Sequence, residues 1–198
     1  MNYWNLLLMF FFLCSFEAKE QEMPISFAVE EQLPKDKEFL VNYFEETGNH
    51  LEELTERLTE TQLNYKIGEG RWSINQVLEH IVITEEALFS MTTELLNQPA
   101  NPEDKSSTTD EELLAKIVDR TNKVQTSDQL QPTGKYSDSH AAISDLNLQR
   151  ANILEFIRIT PEEDLRNHIA TEFPFGPLDA FQSLLFMVGH TARHTEQI

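Results

Sequence analysis

Apolar residues recur every three or four positions along most of this chain, the period of helices that bury one face. Over residues 35–61, Leu40, Tyr43, Phe44, Leu51, Leu54 and Leu58 keep that spacing between Glu-rich positions and predict a first long helix. Residues 64–70 form its connection. Ser73 and Gln76 then stand three apart at the start of a second periodic run, the spacing of a capping box, so a helix is expected from there to about Asn97, stopped by Pro99 and Pro102. Its apolar stripe is Ile74, Ile81, Leu88 and Leu95, with Val77, His80, Thr84, Ala87 and Met91 along the border. Polar residues 103–109 follow, after which Thr109 and Glu112 can cap an accessory helix over residues 111–126. A loop carrying Pro132 and Gly134 leads to a third long helix over residues 138–158, with Ile143, Leu146, Ile153, Leu154 and Ile157 facing inward. Thr160, Pro161 and Glu163 predict a short turn capped by the threonine, and a last helix is expected over residues 177–198.

These elements predict an all-α fold, an antiparallel four-helix bundle with an accessory helix and long connections, occupying residues 35–198. The 198 residues suit one domain with a full core and are too few for two. No period of 20–50 residues recurs, which argues against a repeat array. The start of the chain has a different character. Residues 1–18 contain an apolar run from Leu6 to Leu13 that breaks abruptly into charge, the length of a signal-peptide core and short for a bilayer span. Residues 1–18 are therefore expected to be a signal peptide, and residues 19–34 an N-terminal extension of an exported, periplasmic or extracellular protein with no stable membrane span in its mature chain. A bare n-region and Phe16 are poor features of such a signal, and an uncleaved buried segment is the alternative.

Composition narrows the chemistry. Cys14 is the only cysteine and would leave with the signal, removing disulfides, thiolate ligands and a cysteine nucleophile together. The formal net charge of −19, from 34 acidic and 15 basic residues, repels phosphate backbones and disfavours a nucleic-acid partner. No glycine-rich phosphate loop and no Ser-His-Asp pattern stands out.

His190 and His194, four apart on the last helix, stack one turn apart on one face and can reach one metal ion. The segment lacks the Glu that would follow the first His in a zinc protease of the H-E-x-x-H type, so that mechanism is disfavoured. The stripe Phe181, Leu184, Leu185, Val188 and Ala192 lies nearly opposite the two imidazoles, leaving Ser183, Phe186 and Met187 at the margins of their face. His80 taken alone reads as a core-edge histidine. Gln76, one turn earlier, could orient it, and Trp72 is expected to pack under the helix start. Glu79 and Glu196 adjoin the histidines in sequence but point away from them, so neither is a confident base and no catalytic residue is assigned. His50, His140 and His168 read as surface or cap residues.

Trp72-Ser73 with His80 on an early helix, His190 with His194 on the last, and the Phe175-Gly176-Pro177-Leu178 turn before it together resemble the DinB-like superfamily of metal-binding four-helix bundles. The resemblance runs from about Lys35 to Ile198. It implies that His80, His190 and His194 bind a divalent metal, zinc or nickel, at one end of the bundle with coordination positions left open. It further implies a metal-dependent hydrolase or a transferase using a low-molecular-weight thiol, acting on an unidentified small molecule, with a homodimer left open. Export weakens the transferase branch, since such thiols are mainly cytosolic. The alternative is a metal-containing binding or stress-response protein without turnover.

Overall fold

The fold was obtained as a computed structural model, which describes residues 36–121, 126–136, 138–173 and 176–198. The expected signal peptide and N-terminal extension lie outside these residues.

Four long helices form the bundle: α1 (Lys37–Thr55), α3 (Ile74–Leu96), α5 (Ser139–Ile159) and α7 (Ala180–Thr195). Shorter elements join them, namely α2 (Glu60–Asn64), α4 (Asp110–Val118) and α6 (Glu162–Asn167), together with β1 (Ile169–Ala170) and β2 (Leu178–Asp179), which pair antiparallel. Among the described residues no helix is long and apolar enough to cross a membrane.

The core has two halves, and their membership gives the topology. At one end Leu40 and Phe44 of α1 meet Leu88 of α3, Ile153 and Ile157 of α5, and Phe181 to Val188 of α7. At the other, Leu51 of α1 meets Val77, Leu78, Ile81 and Val82 of α3 and Ala142, Ile143 and Leu146 of α5. The helices therefore pack as two antiparallel pairs, α1 with α5 and α3 with α7, while α3 and α5 run parallel. A parallel neighbour needs a connection that returns along the bundle. Helix α4 supplies it, lying along α7 with Leu113, Leu114 and Ile117 buried. Gly189 lets α4 come close, since a Cβ there would sit 3.0 Å from Leu114 Cδ1 and 3.2 Å from Ile117 Cγ2.

Capping residues set several boundaries that periodicity alone placed elsewhere. The first helix stops at Thr55, short of the expected Thr61, because Thr59 and Gln62 make a capping box that starts α2; Leu54 is exposed and Leu58 only half-buried. Helix α3 starts on the Ser73 and Gln76 box as expected. The accessory helix starts on Thr109 and Glu112 but ends at Val118, where the Asp119 carboxylate accepts from Thr121 N at 2.9 Å and Thr121 Oγ1 at 2.8 Å in an Asx turn. Thr160 does not cap α6: its hydroxyl donates to Phe156 O at 2.7 Å and finishes α5. The last helix starts three residues late because Leu178 and Asp179 are used as strand β2, after which Asp179 and Gln182 form a capping box.

Candidate metal centre

His80 lies in the second turn of α3, and His190 and His194 lie at the far end of α7. Because those helices are antiparallel, the three imidazoles meet at one mouth of the bundle. One ring nitrogen of each lies within 4.8 Å of the others, and ring centroids are 5.0 Å apart for His80 and His190, 4.7 Å for His80 and His194, and 4.3 Å for His190 and His194. His80 is buried and the other two are half-buried, so the group keeps partial contact with solvent through His190 and His194. Trp72 packs its ring 4.9 Å from that of His80, beside the histidine as well as at the helix start.

The hydrogen bonds around His80 define its tautomer. Its Nδ1 lies 2.9 Å from Leu130 O, and since a carbonyl can only accept, the proton is on Nδ1. Nε2 is left with a lone pair, buried and without a hydrogen-bond partner. His190 Nδ1 is likewise buried and unpartnered. Buried polar atoms rarely lack a partner, and two such nitrogens in one cluster fit a cation that accepts their lone pairs. His194 turns Nδ1 to Gln197 Oε1 at 2.6 Å.

Electrostatics keep these imidazoles neutral. Burial pushes His80 below the usual imidazole range, against the opposing hydrogen bond to Leu130. His190 is held well below it by burial, with repulsion from His194, His80 and Arg193 adding. His194 is lowered to about 4, by burial first and by His80, Arg193 and Arg120 next, with Gln197 opposing. Metal binding requires deprotonated imidazole, so the donor set, its burial and its free nitrogens fit a divalent ion. No carboxylate joins the cluster among the described residues.

A loop connecting α4 to α5 brings the Leu130 carbonyl to this site, and Glu79 holds that loop. Its carboxylate accepts from Thr133 N at 2.7 Å, Thr133 Oγ1 at 2.7 Å, Gly134 N at 2.8 Å and Lys135 N at 3.1 Å. Gly134 has φ +86°, a left-handed backbone that lets successive amides converge on one anion. Burial pushes the Glu79 carboxyl up, but these donors together hold it below its ordinary value. Glu79 thus points away from the histidines as expected, and its role as loop anchor was not visible in the sequence. Gln76 does not orient His80: its side chain accepts from Ser73 N at 3.1 Å and is used in the helix cap.

Beneath the mouth lies a buried ion pair that sequence reasoning missed. Arg150 of α5 donates to Glu85 of α3 through Nη2 at 2.6 Å and Nε at 3.1 Å, and through Nη1 to Phe44 O at 2.6 Å and Thr47 Oγ1 at 3.1 Å on α1. Thr191, the residue after His190, donates to Glu85 Oε1 at 2.5 Å. One carboxylate and one guanidinium therefore tie together all four bundle helices. A signal was available: Glu85 falls within the stripe of Leu78, Ile81 and Thr92, and Arg150 within that of Ile143, Leu146 and Ile157, so two opposite charges sit at core positions of neighbouring helices.

The other histidines stay outside the cluster. His50 is half-buried and His140 exposed. His168 takes the cap role of its two expected ones, as the C-cap of α6. It is buried and links Asp164 O at 2.7 Å to Gln98 O at 3.1 Å through its two ring nitrogens, latching the segment before β1 to the end of α3.

A family model described as DinB superfamily matches residues 43–198, which include both histidine-bearing helices. The chain belongs to the DinB superfamily. Its fold is similar to that of YfiT from Bacillus subtilis, titled a probable metal-dependent hydrolase with an unusual four-helix bundle topology. The two share 16% sequence identity over 82% of this chain and 83% of that one, with a TM-score of 0.58, a likeness of fold. No curated protein matches the chain. The parallel placement of α3 and α5, with α4 as the return, is the topology of this DinB-superfamily member, and it is what brings the start of α3 to the end of α7.

Proposed function

We propose that this chain is a metal-dependent hydrolase whose metal, zinc or nickel, is held by His80, His190 and His194. The observation that carries this reading is the meeting of three neutral imidazoles, two of them only half-buried, with two buried nitrogens lacking any partner among the described residues. A bound divalent ion would supply Lewis acidity there. The chain's own residues supply the rest. Leu130 O fixes the His80 tautomer, Glu79 holds Leu130 in place, and Gln197 orients His194. Three protein ligands leave room for water or substrate, whereas structural zinc sites are closed by four.

One observation favours a second reading, a metal-binding protein without turnover. No acidic side chain stands at the cluster among the described residues to take a proton from water. A thiol-dependent transfer needs no such base at the site and is the other catalytic outcome.

The test has two steps. Purified chain incubated with zinc or nickel and freed of loosely held ion should retain about one equivalent, and His80→Ala, His190→Ala and His194→Ala should each lose it while His50→Ala keeps it. Retention below about a tenth of an equivalent overturns the site. With the site established, metal-dependent cleavage of ester or amide substrates supports the hydrolase, and its absence across such a panel supports the second reading or the thiol branch.

A further inference from the structure

A cleft of about 500 Å³ opens between the last turns of α3 and the segment that follows β1, away from the histidines. Its apolar walls are Leu88, Met91, Leu95, Ile169 and Phe173. That volume is in the range of small-molecule sites. The walls are held at one end by the His168 latch to Gln98 O and by Asn101, which accepts from Ile169 N at 2.8 Å and donates to Ile169 O at 3.0 Å, and at the other by the Phe173 ring, 5.1 Å from that of Phe186. The space is therefore formed before any ligand arrives.

Gln98 and Thr171 bring one side-chain amide and one hydroxyl that can donate, and the other polar side chains of the cleft are acceptors. Thr92 and Ser183, both buried, spend their hydroxyl protons on their own helices, at 2.8 Å to Leu88 O and 3.2 Å to Asp179 O. Their oxygens can then only accept. Glu94 and Glu172 add two exposed carboxylates, and neither is paired with a cation among the described residues. Among the described residues no lysine or arginine lines the space. An anionic ligand would meet two like charges and few donors. A cation with an apolar body satisfies both halves of the lining.

We propose that this cleft is a binding site for an amphipathic amine, with its ammonium group at Glu94 and Glu172 and its hydrocarbon between Met91, Leu95 and Phe173. The site is distinct from the metal centre. Ser183 and His190 share a face of α7 about 10 Å apart at the helical rise, and Phe186 stands between them, 5.1 Å from the Phe173 ring on one side and 6.3 Å from His190 on the other. Binding in the cleft does not depend on the metal, so the proposal stands or falls apart from the hydrolase reading.

The experiment is calorimetric titration of the full chain, metal-free, with n-octylammonium and with octanoate below their micelle concentrations. Octylammonium should bind saturably, one per chain, and octanoate at least about tenfold more weakly. Removing both charges with Glu94→Gln and Glu172→Gln should weaken octylammonium about fivefold or more, and Met91→Trp, which fills the cleft from an exposed position, should abolish it. Glu52→Gln with Glu53→Gln removes the same charge elsewhere and should change affinity less than about twofold, separating the local carboxylates from the overall acidic field. All these positions are exposed, so folding is preserved and is checked by circular dichroism. Equal binding of octanoate, undiminished binding in Met91→Trp, an equal loss in the Glu52 and Glu53 variant, or no binding of octylammonium overturns the proposal.

Discussion

Glu79 and His80 are adjacent in sequence and point in different directions, yet they serve the same site. Glu79 gathers four donors from residues 133–135, and three residues before that segment the same loop offers Leu130 O to His80 Nδ1. Replacing Glu79 with Gln leaves one acceptor oxygen and turns an NH₂ group toward backbone donors. The loop should loosen and His80 lose its fixed tautomer, so metal affinity should fall by about 10–100-fold, the usual cost of losing a partner behind a metal ligand. Competition with a chromogenic chelator measures this, alongside the cobalt(II) absorption spectrum, which reports ligand geometry. An unchanged affinity and spectrum would mean that the loop does not position His80. At this scale the histidines themselves were legible, since H-x-x-x-H on a helix fixes two of them and the Trp72-Ser73 context points to the third. Leu130 was not legible. Its contribution is a backbone carbonyl 50 residues from its partner, and every residue carries one.

Helices were legible where period and cap agreed. The Ser73 and Thr109 boxes sit at the edge of a periodic run, and both start helices where expected. Thr59 with Gln62 and Asp179 with Gln182 are equally good boxes, but apolar spacing continues across the first and an apolar run precedes the second, so period concealed the break. Two-residue strands such as β1 and β2 carry no period at all. The ion pair that ties the helices has its own consequence. Glu85 and Arg150 are both buried, and Gly48 on α1 leaves room for the guanidinium, since a Cβ there would stand 3.0 Å from Arg150 Nη1. A glycine inside a helix costs about 1 kcal/mol relative to alanine, a cost the buried hydrogen bonds of Arg150 offset. Glu85→Ala strands a buried cation and should destabilise the fold by about 3–5 kcal/mol, whereas Glu85→Leu combined with Arg150→Met should recover most of that loss. Urea unfolding of the three proteins decides it. A double variant no more stable than Glu85→Ala would show that the pair's geometry, and not the unpaired charge, dominates.

For the whole molecule, the order of helices would make a metal bound at the three histidines a clamp between α3 and α7, and acid acts on the same groups. A metal bound to the folded chain alone stabilises by mass action, about 2.7 kcal/mol at a free concentration one hundred times its dissociation constant. For a domain of this size that raises the melting temperature by roughly 5–10 °C. The three histidines set the acid limit of that effect. Each has its native pKa below the ordinary imidazole value of 6.5, and His194 lies at about 4. As pH falls below 6.5 the unfolded chain takes up protons that the native site refuses, so the metal-free fold loses stability through the window from 6.5 toward 4. Over the upper part of that window the native imidazoles are still neutral and still available as ligands. The metal-free protein should therefore melt progressively lower from pH 7 to pH 5, and a variant carrying Gln at positions 80, 190 and 194 should have a flatter profile, the carboxylates being common to both. In the parent, the metal-induced rise should persist at pH 5.5, where an exposed pair of histidines would be largely protonated. Differential scanning calorimetry of both proteins with and without zinc measures all four curves. If the rise collapses between pH 7 and pH 6, or if the Gln variant falls as steeply as the parent, these imidazoles titrate as exposed groups and the buried, neutral ligand set at the bundle mouth is wrong.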